Sequence, residues 1–194
     1  YPLTMVPPSG SPVTRWLEAV DLSEAFAIAM PRPMTRIQVS RQYLGLGFLH
    51  ILPRGLDHIL FVLGLFLLSP RLKPLLLQVT VFTLAHTITL GLTVVGVFSL
   101  PAYIVEPLIA ISIAYVAVEN IVTTKLSPWR VALVFAFGLL HGMGFAGVLA
   151  DLGLPRSEFL TALVTFNLGV EMGQLTVIGI STMAVMGVLK KDWY

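Results

Sequence analysis

The stretch that decides the fold is GLDHILFVLGLFLL, residues 55–68, in which Asp57 and His58 stand side by side at the start of an apolar run. On a soluble surface such a pair carries little information. Inside a bilayer, an ionisable side chain costs about 3 kcal/mol or more unless something pairs with it. Other apolar segments of the chain each hold an ionisable residue, which makes four residues candidate partners: His86, Glu119, His141 and Glu171.

The composition places these residues in a membrane. Of the 194 residues, 56% are hydrophobic and 11% are charged, against about 25% charged in soluble domains. With a mean hydropathy of +0.89, the chain is predicted to be an integral membrane protein. The net charge is only +2, so the basic pI gives no reason to expect a nucleic-acid partner. Because the chain has no cysteine, disulfides, thiolate metal sites and cysteine nucleophiles are excluded.

Five apolar segments approach or exceed the about 20 residues that a transmembrane helix needs. They cover residues 43–68, 75–98, 102–122, 131–150 and 159–189. The first is interrupted at residues 53–55 (Pro-Arg-Gly), so its opening part is predicted to be re-entrant or interfacial. The last exceeds one crossing and is predicted to be tilted, bent near Gly169 or Gly173, or to project beyond the lipid. The predicted fold is an all-α, polytopic transmembrane helical bundle of about five spans.

Residues 1–42 are predicted to form an N-terminal extracytoplasmic or interfacial segment ahead of a transmembrane domain at 43–194. Prolines make the first dozen residues irregular. Apolar and charged residues then alternate at roughly helical spacing over residues 13–30, which indicates an amphipathic helix on the membrane surface or the stump of a soluble domain. The chain opens without Met, so either a signal peptide has been removed or the sequence starts part-way through a longer protein.

The loops carry an orientation signal. Basic residues follow the first, third and fifth segments: Arg71, Lys73, Lys125, Arg130, Lys190 and Lys191. The loops after the second and fourth segments hold only Arg156. By the positive-inside rule, the N-terminus is predicted outside and the C-terminus inside.

Polar residues within the segments are spaced so that they share helix faces, and these faces are predicted to point inward. Three such sets are Thr83, His86 and Thr87; Ser112, Tyr115 and Glu119; and Asn167, Glu171 and Gln174. At 1.5 Å per residue, His86, His141 and Glu171 fall near the bilayer middle, whereas Asp57 and His58 fall near the outer end of the first span. Glu106, just before Pro107, is interpreted as a carboxylate favoured at a helix N-terminus.

Imidazoles together with carboxylates form a ligand set for a divalent Zn, Ni, Co, Mn or Fe ion, and the lack of cysteine argues against Cu(I). The structural alternative is that these groups only hydrogen-bond between helices. Glu119 has Tyr115 and Asn120 as neighbours for such bonds. A weak internal echo, GFLH at 47–50 and GLLH at 138–141, lies in otherwise dissimilar helices.

Residues 43–189 resemble the HupE/UreJ family of membrane proteins, one branch of which is associated with nickel or cobalt uptake. The resemblance rests on HIL at 50–52 leading into GLDH at 55–58, and on LHG at 140–142. His50 and Asp57 are separated by one residue more than in the permease branch, and no nearby Glu follows His141. The chain is more similar to a second, less characterised branch, through HT at 86–87, EN at 119–120 and FNLGVE at 166–171. The resemblance implies metal ligation by His50, Asp57, His58 and His141, and a bacterial inner (plasma) membrane.

Three functions remain open at this point. The first is a permease for a divalent transition metal, with Asp57 and His58 capturing the ion, His86, His141 and Glu171 holding it, and Glu119 on the exit side. Because five spans are few for one transport path, this hypothesis includes a homo-oligomer or a partner subunit as a further expectation. The second is a membrane metal-dependent hydrolase with Glu171 or Glu119 as general base. The third is an accessory or assembly subunit whose polar residues only join helices.

Overall fold

The computed structural model describes the backbone of residues 2–5, 13–16, 35–123, 126–151 and 158–189, and the side chains of residues 35–123, 126–144 and 158–186. Contacts divide the chain into two compact units, Tyr1–Thr35 and Arg36–Tyr194. Within the described part of the second unit there are six helices: α1 (Arg36–Ile51), α2 (Leu56–Leu68), α3 (Leu72–Val94), α4 (Ala102–Val122), α5 (Arg130–Asp151) and α6 (Phe159–Leu189).

The first unit contains an antiparallel hairpin of β1 (Pro2–Met5) and β2 (Val13–Trp16). The prediction of a helix from residue 13 is therefore wrong over its first turn, as is the prediction of an irregular opening over residues 2–5. β-Branched and aromatic residues in β2 favour an extended backbone once a second strand is available to pair with it. Residues 17–34, which hold the rest of the predicted amphipathic segment, lie outside the described part of the chain.

The predicted interruption of the first span is confirmed. α1 and α2 are separated by four residues, 52–55, and their axes bend by 69°. Pro53 lacks the N–H that would continue the α1 hydrogen-bond ladder. Gly55 lies against the backbone carbonyl of His50, where a Cβ atom has no room. The chain therefore turns tightly, and α2 starts among the other helices rather than at the end of the bundle.

Three helices, α3, α4 and α6, are long and apolar enough to cross a membrane, and the bent α1–α2 pair is a fourth candidate if it counts as one span. α5 is a shorter apolar helix over the part whose side chains are described, Arg130–Gly144. Large apolar side chains point outward from these helices, including Leu67 (69% exposed), Ile111 (62%) and Leu160 (72%). Such a surface suits lipid and not water. The predicted all-α membrane bundle is confirmed.

Two helix pairs pack so closely that only glycine fits between them. On α5, a Cβ atom at Gly138 would lie 2.5 Å from the carbonyl oxygen of Phe82 on α3. On α1, Gly47 lies against the carbonyl oxygen of Phe166 on α6. Each of these glycines stands three residues before a histidine, at His50 and His141. The short sequence similarity between GFLH and GLLH therefore corresponds to two close contacts between helices.

The predicted bounds of the spans agree best with the observed helices at α4 and α6, which cover the predicted residues 102–122 and 159–189. α1 begins at Arg36, earlier than the apolar segment from residue 43, and α3 covers 72–94 where 75–98 was predicted. α6 runs as one helix through Gly169 and Gly173. Those two glycines contact α1, at Leu44 and Ile51, so the structure gives them a packing role.

Candidate metal centre

All four histidines of the chain come together in the bundle. The ring centroid of His58 lies 4.7 Å from that of His50, 4.8 Å from that of His141 and 5.7 Å from that of His86. The rings of His50 and His86 are 6.1 Å apart. His58 is thus the central member, and the four residues belong to four helices: α1, α2, α3 and α5.

The break between α1 and α2 explains this arrangement. His58 lies in the first turn of α2, whereas His141 lies 11 residues into α5, about 16 Å from its start. The sequence alone placed His58 near the outer end of its span. Because α2 starts inside the bundle, His58 lies at the level of His141 instead. Two residues that were predicted at different depths therefore belong to the same site.

Aromatic residues enclose the histidines. Phe61, Phe82 and Phe166 are fully buried. The ring of Phe82 lies 5.0 Å from that of His141, and the ring of Phe166 lies 5.7 Å from that of His50. These walls keep water away from the inner side of the cluster and raise the strength of electrostatic interactions there.

On its other side the cluster meets a partly open cavity of about 470 Å³. Its polar lining consists of His50, Arg54, Asp57, His58, Glu106 and His141. Two carboxylates against one guanidinium leave this lining with a net negative charge, which favours a cation. A cavity of this size is ample for a metal ion that still carries water.

Three of the rings are buried and held by a hydrogen bond on one nitrogen. Nδ1 of His58 lies 3.1 Å from Oδ1 of Asp57, and Nδ1 of His86 lies 2.8 Å from Oδ1 of Asn167. Nε2 of His141 lies 3.1 Å from the hydroxyl of Ser112. The opposite nitrogen of each ring, Nε2 of His58, Nε2 of His86 and Nδ1 of His141, is buried and has no hydrogen-bond partner among the described residues.

Two groups of these residues have the geometry to hold a metal ion: His50, His58 and His86 in one, and Asp57, His58 and His141 in the other. Within each group the ligand atoms lie within 4.8 Å of one another. Metal–nitrogen bonds of about 2.0–2.1 Å place tetrahedral ligands roughly 3.4 Å apart. The ligand atoms of either group would have to approach one another by up to about 1.4 Å, through rotation of the side chains, to close around an ion. The donor set therefore fits a borderline divalent cation.

A glycine also fixes how α5 presents its histidine. Next to His141, Gly142 lies against the carbonyl oxygen of His86 and the hydroxyl of Thr89 on α3. Thr89 in turn donates its hydroxyl proton to the carbonyl of Leu139, 2.7 Å away. Close contact between α3 and α5 at this level is what brings the rings of His86 and His141 to the same site.

The two predicted glutamates lie elsewhere. Glu119 is 8% exposed and accepts a hydrogen bond from Nη1 of Arg130, which is 3% exposed, over 2.5 Å. Nε of Arg130 also donates to Oε1 of Gln78, 2.8 Å away. Glu171 accepts a hydrogen bond from the hydroxyl of Thr80, 2.6 Å away, on an exposed side of the α3–α6 contact. Neither glutamate belongs to either of the two groups.

Glu106 and Arg54 are residues of the cavity that sequence reasoning missed. Glu106 precedes Pro107 near the start of α4. The preference for a carboxylate near a helix N-terminus was enough to explain Glu106 without a site. Arg54 falls within the break between α1 and α2, where it looked like part of a connecting turn. In the sequence each is a single charge within a predicted apolar segment, which does not reveal a shared cavity.

Fold and site together define an integral membrane protein whose helices enclose a histidine cluster beside a polar cavity. Residues 27–194 match the family model described as HupE / UreJ protein. Because this match covers most of the chain, the protein belongs to the HupE/UreJ family. No curated protein and no solved structure matches it.

Proposed function

We propose that the protein is a permease for a divalent transition-metal cation of the nickel or cobalt type, and that the histidine cluster is its ion-binding site. The observation that carries this proposal is a set of three buried ring nitrogens with no hydrogen-bond partner among the described residues, in a cluster that borders the cavity through His58 and His141. Buried polar atoms are normally satisfied, and those left over call for an explanation such as an ion. The family's association with nickel and cobalt supports the same conclusion.

The ion enters from the cavity, where Asp57 and Glu106 offer carboxylates. It first meets the group of Asp57, His58 and His141, and then passes to the group of His50, His58 and His86. Because His58 belongs to both groups, the ion exchanges ligands on one side while His58 holds it on the other. Each step replaces bonds one at a time, so the ion is never bare in the apolar interior.

Beyond the second group, the buried Arg130–Glu119 pair and Gln78 join α4, α5 and α3. Gln78 lies eight residues before His86 on α3, about 12 Å along the helix. The ion pair and its hydrogen bonds tie three helices together at this level, so we expect this end to be closed in the present conformation. The proposed orientation has the cavity facing outward and this end facing the cytoplasm, in a bacterial inner membrane.

Uptake of labelled nickel or cobalt into proteoliposomes tests the proposal. His58→Ala should abolish uptake, because His58 is common to both groups. Thr165→Val is a suitable control, since the hydroxyl of Thr165 bonds backbone carbonyls of α6 itself, those of Thr161 and Ala162. If His58→Ala transports at the rate of Thr165→Val, the histidine cluster is not the transport site.

A metal-dependent hydrolase is the second candidate, and one observation favours it. Three histidines within ligand distance of one another, next to an open cavity, match the arrangement of catalytic sites in which a metal activates water. Glu106 in the cavity lining is then the candidate general base. Purified protein with bound metal that hydrolyses a substrate but transports no ion would favour this function over a permease.

The accessory-subunit hypothesis makes a different prediction from both. If the histidines only join helices, protein purified without chelators carries no stoichiometric metal. Elemental analysis therefore separates it from the other two functions.

A further inference from the structure

Two helices that carry no histidine, α4 and α6, each hydrogen-bond a ring of the cluster. Ser112 on α4 contacts His141, and Asn167 on α6 contacts His86. Ser112 is fully buried and Asn167 is 3% exposed. Each side chain lies within hydrogen-bond distance of its ring, where it can orient that ring and fix the position of its proton.

The hydrogen bonds of Asn167 determine the proton position on His86. The Nδ2 group of Asn167 donates to the carbonyl oxygen of Leu163, 2.8 Å away. Its Oδ1 atom is therefore the atom that faces Nδ1 of His86, and a carbonyl oxygen only accepts. Nδ1 of His86 must carry the proton. In the neutral ring, Nε2 then holds the lone pair, and Nε2 is the buried atom for which the described part of the chain offers no partner.

Ser112 determines the opposite state for His141. Its hydroxyl donates to the carbonyl oxygen of Ile109, 2.6 Å away. A serine hydroxyl has a single proton to donate, so toward His141 it accepts. Nε2 of His141 must carry the proton, which leaves the lone pair on Nδ1, the buried atom that has no partner within the described residues.

We propose that Asn167 and Ser112 are positioning residues that determine which nitrogen of His86 and of His141 is offered to the cation. The proposal rests on the proposed function in that a cation binds at the cluster. His86 presents Nε2 and His141 presents Nδ1, so rings on two helices that contact each other offer lone pairs on different ring nitrogens. Partners of this kind fix both the ring orientation and the proton position of metal-binding histidines, and losing one typically weakens metal affinity about 10–100-fold.

Two substitutions of Ser112 form a matched pair that tests its role. Ser112→Ala removes the acceptor, whereas Ser112→Thr retains a hydroxyl that can bond the same carbonyl of its own helix. We expect Ser112→Ala to bind Ni²⁺ or Co²⁺ about 10–100-fold more weakly than the wild type, and Ser112→Thr to recover most of this loss. Asn167→Leu should behave like Ser112→Ala, and Asn167→Asp, which keeps an acceptor oxygen, should recover part of the affinity.

The decisive readout is nitrogen NMR of full-length protein labelled at histidine, in detergent and without metal. Single His86→Asn and His141→Asn variants assign the signals. We expect wild-type His86 to be protonated on Nδ1 and wild-type His141 on Nε2. Ser112→Ala should shift His141 toward a mixture of both forms and leave His86 unchanged, a selective change that a general loss of folding does not produce.

The outcomes separate this inference from the proposed function. Protonation of the other nitrogen in wild-type His86 or His141 overturns the inference, and so does Ser112→Ala with unchanged affinity and an unchanged His141 signal. The expected NMR signals in a wild-type protein that binds neither Ni²⁺ nor Co²⁺ would overturn the cation site, while the control of the rings by Ser112 and Asn167 would stand.

Discussion

The buried ion pair between Glu119 and Arg130 offers the sharpest test of how this bundle is held together. The perturbation is Glu119→Gln, which keeps the shape of the side chain and removes its charge. Arg130 then stays 97% buried with its guanidinium facing a neutral amide, since its exposed fraction is 3%. Gln78 continues to accept from Nε of Arg130, but an amide oxygen does not compensate a full positive charge.

The size of the effect follows from the geometry. Two unit charges about 4 Å apart interact by roughly 4 kcal/mol at an effective dielectric constant near 20. Removing one partner of a buried pair costs about 3–5 kcal/mol in measured cases, because the remaining charge is left without compensation. We therefore expect Glu119→Gln to lower the free energy of unfolding by about 3 kcal/mol or more.

Unfolding by sodium dodecyl sulfate in mixed micelles, followed by circular dichroism, measures this free energy. Glu106→Gln is the matched control, because it makes the same change on the same helix at an exposed site; it should change stability by less than about 0.5 kcal/mol. The apolar double variant Glu119→Leu with Arg130→Met should recover most of the loss, since replacing both partners is often neutral. If Glu119→Gln is as stable as Glu106→Gln, the ion pair does not stabilise the bundle and Glu119 is free to act as a ligand.

Further outcomes are expected from the metal centre and the helix contacts. Metal occupancy should fall in acid, because an imidazole that binds a proton loses the lone pair that binds the ion; labelled Ni²⁺ that stays bound until circular dichroism shows the protein unfolding would count against imidazole ligation. Gly138→Ala should destabilise the protein by about 1–3 kcal/mol through its contact with the Phe82 carbonyl, whereas Gly45→Ala, which has open space around it, should be neutral or slightly stabilising in the same unfolding assay. Glu171→Gln should leave the dissociation constant for Co²⁺ within about 3-fold of the wild type, because Glu171 bonds Thr80 outside both ligand groups; a larger change in a titration would place it in the ion path.

Much of the site was predictable because ionisable residues are costly in lipid. Asp57, His58, His86 and His141 were identified by standing inside apolar segments, and the structure brings them together with His50. The inward direction of Ser112 and Asn167 was also predicted, from their helical spacing to other polar residues. What spacing did not provide is which residue on another helix each of them would meet.

Glu119 and Arg130 show where sequence reasoning ends. Glu119 was assigned to the exit side of a metal path, and Arg130 was counted as a loop charge because it stands at the edge of an apolar segment. In the structure each is the partner of the other. A basic residue at the end of an apolar segment either extends to the membrane interface or turns inward to a carboxylate. The apolar sequence is the same in both cases, so it does not distinguish them.

The sequence by itself determined that the membrane part is a helical bundle, where its helices lie to within a few residues except at the start of α1, and that most of its polar side chains face inward, with Tyr115 and Glu171 as exceptions. These properties follow from the composition and from the 3.6-residue period of single helices, which are local. Only the tertiary structure decided that the break at residues 52–55 brings His58 level with His141, that Glu106 shares a cavity with Asp57, and that His58 belongs to both ligand groups. Those facts depend on how helices are rotated and how closely they approach, which is set by contacts such as Gly138 against Phe82 between residues far apart in the chain.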